Sequence, residues 1–205
     1  VSTPLLRALK ARFPDAAIRL VTGEAGREAG PLCPGVDRTL VLGRAWAAAD
    51  NARLALELLR RGSDLLIDMN SAPSRSGAAL AWLASARVKL GFDKRGASAV
   101  LTHRLPPPGE AEHMLDRYGR VAAALRAPYD PVPRVRWTPE DEAAARRALS
   151  ALGPGEGLLV AVHPGNFGKF DNRWPEDRFV EVLKRLKARG GVRPVLLTGP
   201  GEERP

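Results

Sequence analysis

One segment of the 205-residue sequence concentrates the residue types that bind anions. It runs from His163 to Pro175, after an apolar run typical of a strand and before a helical pattern. In open α/β sheets this is the position where ligands bind. Glycines would let the backbone approach a ligand closely, and basic side chains could contact phosphate oxygens. The residues concerned are Gly165, Gly168, Lys169 and Arg173.

Two interpretations of this segment stay open from its spacing alone. Pro175 suits the first position of a helix, and the start of that helix would add a further site for an anion. The alternative is a solvent-exposed basic loop whose glycines serve only to form turns. The segment has no Gly-Lys-Ser/Thr at P-loop spacing and no G-x-G-x-x-G dinucleotide fingerprint. It therefore matches neither of these common phosphate-binding motifs.

The elements that must position this segment alternate between helices and strands. Apolar residues at helical spacing predict an N-terminal helix that Thr3 caps, with Pro4 at its first position. Short apolar runs then alternate with further helical patterns, which favours an α/β fold with parallel sheets. In the first part of the chain the predicted strands cover residues 18–21, 39–42, 65–67 and 88–92, and the predicted helices cover residues 47–61, 74–83 and 110–126.

A proline-rich stretch separates a second α/β unit from the first. Four prolines between residues 128 and 139 disfavour a helix and predict a linker. The sequence therefore divides into residues 1–137 and 138–205. The apolar runs 65–67 and 159–162 are continuous, as is typical of buried central strands. In the second unit we predict a helix over 138–152, a strand over 158–163, a helix over 176–189 and a strand over 192–198.

Both ends of the sequence look cut. No initiator methionine precedes Val1, and the sequence stops at Pro205, four residues after a Gly-Pro-Gly turn that directly follows an apolar run. We therefore expect a fragment of a longer protein.

Several short motifs follow one another in a specific order. They are Thr-Pro-Leu-Leu-Arg-Ala-Leu-Lys at 3–10, Arg-Phe-Pro-Asp-Ala at 12–16, a strand ending at Asp68 with a Ser-Arg-Ser loop behind it, Arg-Val-Lys-Leu-Gly-Phe at 87–92, the helix from His113 to Tyr118, His-Pro-Gly at 163–165, and a basic residue before Trp174-Pro175. This ordered set resembles glycosyltransferase family 9, the ADP-heptose:lipopolysaccharide heptosyltransferases. The resemblance spans nearly the whole chain, although no single motif is diagnostic.

The resemblance implies a GT-B architecture with two Rossmann-like domains, the second truncated. In the family the N-terminal domain holds the acceptor and the C-terminal domain holds the nucleotide sugar. The catalytic base is an aspartate of a Gly-Asp pair just ahead of the segment that matches Val1. It activates an acceptor hydroxyl for attack on the anomeric carbon as ADP leaves, which inverts the configuration. We therefore name no catalytic residue and expect residues 1–205 by themselves to be inactive.

The resemblance also implies where the donor binds. Many family members have a lysine or a Lys-Arg pair before Trp-Pro, whereas this sequence has Asn172-Arg173, with Lys169 three places earlier. Which basic residue reaches the phosphate stays open. His163 could donate to that phosphate or fill the domain edge. Glu202 could bind the ribose, or it could stand at the start of a helix, where a negative charge interacts favourably with the helix dipole. A later donor motif, Asp-Thr/Ser-Gly-x-x-His, would lie beyond residue 205. The predicted donor-binding residues are His163, Gly165, Asn166, Lys169, Arg173 and Glu202.

A second group of polar residues surrounds the end of the predicted strand 65–67. Its members could touch a phosphorylated sugar acceptor, whereas the nearby Ser74 is favoured as the N-cap of the following helix. The predicted acceptor-binding residues are Thr3, Asp68, Asn70 and Arg75.

The composition excludes several classes of protein. With 44% hydrophobic and 27% charged residues, the chain is globular and not disordered. Its single cysteine, Cys33, excludes a disulfide framework and a cysteine-rich zinc site, and we expect neither a metal nor a cofactor. No run approaches the roughly 20 apolar residues that a membrane span needs.

The net charge of +9 predicts an anionic partner, but 26 of the 32 basic residues are arginine, which can also reflect the base composition of the genome, and both interpretations stay open. The resemblance implies a nucleotide-sugar donor, an anionic lipid-linked sugar acceptor, and a cytoplasmic protein in peripheral contact with the inner membrane. One alternative is a GT-B enzyme for another nucleotide sugar. The other is a basic nucleic-acid-binding protein, but only 5% of the residues are aromatic and the basic residues are not clustered. We therefore expect no nucleic-acid partner.

Overall fold

The computed structural model describes residues 2–44, 47–70, 72–94, 98–153, 156–164 and 174–199. The chain divides into two compact units, Val1–Trp137 and Thr138–Pro205. Every pair of neighbouring strands in both units is parallel. Parallel strands joined through helices confirm the predicted α/β fold class.

Five strands of the first unit form two sheets. The first sheet contains two strands, and the second sheet contains three in sequential order. The strands are β1 (Arg19–Gly23) and β2 (Arg38–Leu42) in the first sheet, and β3 (Ser63–Asp68), β4 (Ala86–Phe92) and β5 (His103–Leu105) in the second.

Four helices accompany these strands and bury two apolar clusters. They are α1 (Thr3–Arg12), α2 (Ala48–Arg60), α3 (Arg75–Leu83) and α4 (Met114–Ala124). The larger cluster joins α1, α4 and β4 through Leu5, Ala8, Leu9, Leu90, Phe92, Tyr118, Val121 and Ala122. The smaller cluster contains Leu40, Leu54, Leu58 and Ala84.

The strand β3 is covered on both faces. Leu65 and Ile67 pack against the larger cluster, while Leu66 packs against the smaller one. All three are half-buried, however, and β4 is the only ladder partner of β3 in the described part of the chain. The prediction of a buried central strand was therefore wrong, because the edge of β3 away from β4 has no described strand to shield it from water.

The N-terminal helix begins one residue away from its predicted cap. Ser2 occupies the N-cap position of α1, and Thr3 is the first helical residue. The predicted cap was wrong because the Thr3 hydroxyl accepts a hydrogen bond from the backbone N–H of Arg134 instead of capping the helix.

The helix α4 begins four residues later than predicted. His113 is its N-cap, and the imidazole Nδ1 accepts the N–H of Leu115 at 3.2 Å. The preceding residues form a turn in which the Glu112 carboxylate accepts the N–H of Gly109 at 2.9 Å. The backbone of His113 is extended (φ −67°, ψ 147°), so the helix begins after it and residues 110–113 stay outside.

The second unit contains two helices and one pair of strands. They are α5 (Pro139–Ala151), β6 (Leu158–Val162), α6 (Glu176–Ala188) and β7 (Val192–Leu196), and β6 pairs with β7. Leu158 is 69% exposed and Leu159 is 42% exposed. The prediction that 159–162 is a buried strand was therefore wrong, because one described neighbouring strand covers only one edge of β6 and leaves its apolar side chains open to water.

Candidate functional site

The predicted acceptor residues gather where β3 ends and α3 begins. Asp68 is the last residue of β3, and its Oδ1 accepts the backbone N–H of Asn70 at 3.0 Å. The Asn70 amide nitrogen lies close to Gly77, in the first turns of α3. The structure therefore brings Asp68 and Asn70 together at the carboxyl edge of the sheet, which is the ligand-binding edge of α/β folds.

Ser74 and Arg75 mark the start of α3. The Ser74 hydroxyl accepts the N–H of Gly77 at 3.1 Å, as expected for its predicted role as an N-cap. Arg75 follows as the first helical residue, it is exposed, and it forms no ion pair within the described residues. An exposed guanidinium without a protein carboxylate can bind an anion directly.

Thr3 is placed differently from the other predicted acceptor residues. It is 4% exposed, and its hydroxyl is engaged by the Arg134 backbone at 3.0 Å. This hydroxyl holds the segment that connects the two units.

Lys94 is a site residue that the sequence patterns did not single out. Its ammonium group lies 2.5 Å from Asp68 Oδ2, and the two side chains are 3% and 10% exposed. Lys94 follows the end of β4 by two residues, so the ion pair joins the loops that leave two neighbouring strands. A basic residue just after a predicted strand was the available signal, but nothing in the spacing indicated that it would turn inward.

The absence of a side chain at Gly91 makes room for Asp68 and its ion pair with Lys94. Gly91 lies opposite Asp68 in the ladder between β3 and β4. A Cβ at Gly91 would lie 3.2 Å from both Cβ and the carbonyl oxygen of Asp68, and 3.1 Å from a methyl group of Leu101. Because these distances are short for carbon contacts, a larger residue would displace Asp68.

A second ion pair orders the loop after β5. The Arg120 guanidinium lies 2.9 Å from the Glu112 carboxylate and stacks over the ring of Phe92, with 5.1 Å between the guanidinium carbon and the ring centroid. Partial burial opposes ionisation of Glu112, but hydrogen bonds from Gly109 and Arg120 outweigh it and lower the pKa of this carboxyl. The loop is therefore held to α4 by a charged carboxylate.

On the donor side the structure describes His163 and the residues from Trp174 onward. His163 follows β6, and its Nδ1 lies 2.9 Å from the carbonyl oxygen of Leu197. Because a carbonyl only accepts, Nδ1 carries the proton in this contact, which fixes the orientation of the ring. Pro175 is the N-cap of α6 and not its first helical residue, and Trp174 packs edge-on against Phe179 at 4.8 Å between centroids.

Five of the predicted donor-binding residues lie outside the described residues. They are Gly165, Asn166, Lys169, Arg173 and Glu202.

The described part of the chain lacks two kinds of feature. It contains no group of three or more metal-ligating side chains. None of its helices is both long enough and apolar enough to cross a bilayer.

Several solved structures share this fold. The fold matches a family 9 glycosyltransferase from Veillonella parvula with a TM-score of 0.79 and 22% identity, covering 97% of this chain and 58% of that chain. It matches ADP-heptose LPS heptosyltransferase II from E. coli with a TM-score of 0.69 and 20% identity, covering 95% and 59%. The third match, E. coli heptosyltransferase WaaC with ADP-2-deoxy-2-fluoro heptose, has a TM-score of 0.67 and 23% identity, covering 98% and 66%. The chain therefore has the α/β fold of GT-B glycosyltransferases and spans 58–66% of the length of these proteins.

The family follows from the sequence itself. The model of glycosyltransferase family 9 (heptosyltransferase) matches residues 51–204. The chain belongs to this family, which confirms the resemblance drawn from its motifs. No curated protein sequence matches the chain.

Proposed function

We propose that the protein transfers a heptose from ADP-heptose to the lipopolysaccharide inner core with inversion at the anomeric carbon. In this proposal residues 1–137 serve the acceptor and residues 138–205 begin the nucleotide-sugar domain. The family match over residues 51–204 carries the proposal. The structure of E. coli WaaC with ADP-2-deoxy-2-fluoro heptose supports a donor of this class.

The donor side would bind the diphosphate through its basic loop. We propose that Lys169 or Arg173 contacts the phosphate oxygens, that Gly165 and Asn166 let the backbone approach, and that Glu202 accepts the ribose hydroxyls. His163 would donate to the same phosphate through Nε2. Because its Nδ1–H is engaged by Leu197, this contact needs the imidazolium form, in which both ring nitrogens carry a proton. Positive charge at this position stabilises ADP as it leaves.

The acceptor side would use the exposed groups near the start of α3. Asn70 and Arg75 would contact an anionic sugar acceptor. Thr3 and Asp68 would act through the backbone segments that they hold. No described residue is assigned as the base, since the family resemblance gives that role to an aspartate ahead of the segment that matches Val1.

The location of the protein belongs to the same proposal. A basic protein that acts on an anionic lipid acceptor would work in the cytoplasm at the inner membrane surface. Its binding to vesicles with anionic lipids should weaken as salt screens the charges.

Removing the basic side chains of the donor loop tests the donor assignment. In the complete protein, Lys169→Ala with Arg173→Ala should weaken ADP-heptose binding by at least about tenfold, since a charge-assisted hydrogen bond contributes about 1.5–3 kcal/mol. Lys187→Ala with Arg189→Ala is the matched control, because it removes the same two charges from the end of α6 and its vicinity. Equal calorimetric affinities for the two variants would contradict the assignment.

The reaction class is tested by comparing ligands. ADP-heptose should raise the melting temperature of the complete protein more than other nucleotide sugars do. A larger shift with a different nucleotide sugar would favour another GT-B enzyme. Stabilisation by oligonucleotides alone would favour a nucleic-acid-binding protein and overturn the transferase proposal.

A further inference from the structure

The ion pair between Lys94 and Asp68 is more deeply buried than the other ion pairs of the described residues. The two side chains are 3% and 10% exposed, whereas each of the other pairs has at least one partner that is more than a quarter exposed. A buried ion pair contributes little net stability, because desolvation offsets most of the attraction. Its main physical effect is to fix the positions of the two groups that it joins.

The groups that it joins are two loops at the carboxyl edge of the sheet. Asp68 ends β3, and Lys94 follows the end of β4. The backbone of Lys94 is itself held, since the hydroxyl of buried Ser98 lies 3.0 Å from the Lys94 carbonyl oxygen. The ammonium group is therefore a fixed point for Asp68 and not a mobile surface charge.

Asp68 in turn fixes the backbone of Asn70, on the way from β3 to α3. While Oδ2 binds Lys94, Oδ1 accepts the N–H of Asn70 at 3.0 Å. The Asn70 amide in turn lies beside Gly77 in α3. Both oxygens of the Asp68 carboxylate are thus engaged, and exposed Asn70 and Arg75 lie just after β3 and at the start of α3.

We propose that Lys94 and Asp68 form a positioning pair for acceptor recognition, which sets the location of Asn70 and Arg75 relative to the sheet. Neither member of the pair touches the acceptor, because both are buried and bonded to each other. The ligand class is a sugar that bears an anionic group, which fits the exposed guanidinium of Arg75, a side chain with no ion pair to any residue that the structure describes. This inference rests on the proposed function, since it assigns part of the same acceptor site.

The test removes both charges and keeps the shape of the pair. In the double variant Asp68→Asn with Lys94→Met, the asparagine oxygen can still accept from Asn70, and methionine fills the space of the lysine stem. The complete protein should fold, because replacing both members of a buried pair is often neutral. We expect the acceptor KM to rise about tenfold or more, with the calorimetric Kd of ADP-heptose unchanged within about twofold.

A matched variant and a double-mutant cycle separate positioning from general damage. Lys10→Met with Asp37→Asn makes the same chemical change in a more exposed pair, whose Nζ–Oδ2 distance is 3.1 Å, and should leave the acceptor KM unchanged. Arg75→Ala should raise the acceptor KM in the wild-type protein. It should have a much smaller effect in the Asp68→Asn/Lys94→Met background, where Arg75 is already misplaced.

The outcomes distinguish this inference from the proposed function. An unchanged acceptor KM in the folded double variant overturns the positioning role. If the wild-type protein transfers no heptose at all, the proposed function fails, and amide exchange of residues 69–77 still tests the pair, because unchanged exchange in the double variant overturns it. If the double variant does not fold, Asn70→Ala alone tests the exposed end of the loop, and an unchanged acceptor KM there overturns the inference.

Discussion

The hydroxyl of Thr3 accepts the backbone N–H of Arg134 at 3.0 Å, across 131 positions of sequence. Two residues further on, the N–H of Arg136 donates to the carbonyl oxygen of Leu32 at 2.7 Å. On the other side, the Arg7 guanidinium donates to the carbonyl oxygen of Val132 at 3.1 Å. The proline-rich segment before α5 is therefore held against the rest of the first unit by hydrogen bonds at three positions.

Removing the Thr3 hydroxyl should destabilise the first unit. Thr3→Val removes the acceptor for the N–H of Arg134, and because this hydrogen bond is only partly buried its loss should cost about 0.5–1.5 kcal/mol. Thr3→Ser is the control, because it keeps the hydroxyl and should lose less. Urea unfolding at neutral pH measures both, and equal stabilities for valine and serine would show that the hydrogen bond contributes nothing.

The ring of Phe92 should be the costliest side chain to remove from the larger cluster. It is fully buried between α1 and α4 and carries the Arg120 guanidinium over one face. Phe92→Ala should lower the free energy of unfolding by about 3–5 kcal/mol, because the remaining cavity cannot be filled. Phe92→Leu should lose clearly less in the same urea titration. A loss below about 1 kcal/mol for alanine would mean that the cluster can repack.

A methyl group at Gly91 should disturb the Lys94–Asp68 pair. Gly91→Ala places a carbon 3.2 Å from the backbone oxygen of Asp68, which cannot move without shifting β3. We expect a loss of about 1–3 kcal/mol from this overpacking. Gly23→Ala is the matched control at the end of another strand, where no atom lies within 4 Å of the new carbon. If both variants unfold at the same denaturant concentration, the space beside Asp68 is not as tight as the structure shows.

The N-terminus of α5 should weaken in acid. The Asp141 carboxylate accepts the N–H and the hydroxyl of Thr138, and these hydrogen bonds, the backbone one first, hold its pKa below the usual value. A carboxyl with a lowered pKa in the folded state adds stability above its unfolded pKa. That stability is lost as the pH falls through the folded pKa.

A substitution isolates this contribution. Wild type should be more stable than Asp141→Asn near neutral pH, and the gap should close as the pH falls below the usual range for an aspartate. Denaturation followed by circular dichroism at several pH values measures the gap. Glu140→Gln, in the same turn but outside the capping box, should show a smaller gap. A gap for Asp141→Asn that does not change with pH would contradict the assignment.

Elements whose apolar residues recur regularly were predictable from the sequence. The helix predicted over 176–189 is Glu176–Ala188, and the one predicted over 138–152 is Pro139–Ala151. Both carry acidic residues in the first turn, which local electrostatics favours. The strand His103–Leu105 was missed because it has three mostly exposed residues, and only pairing with β4 makes it a strand.

The candidate site divides in the same way. Ordered short motifs were enough to identify the family and the α/β fold. Each such motif is a run of neighbouring residues, so it can be recognised in one sequence without knowing any tertiary contact. They also directed attention to Asp68, Asn70 and Arg75 at the end of a strand. The tertiary structure alone decided that Lys94 turns inward to Asp68, 26 positions away, and that Thr3 holds Arg134. Periodicity records which face of an element is buried, whereas the partner of a buried polar group depends on how distant elements pack together.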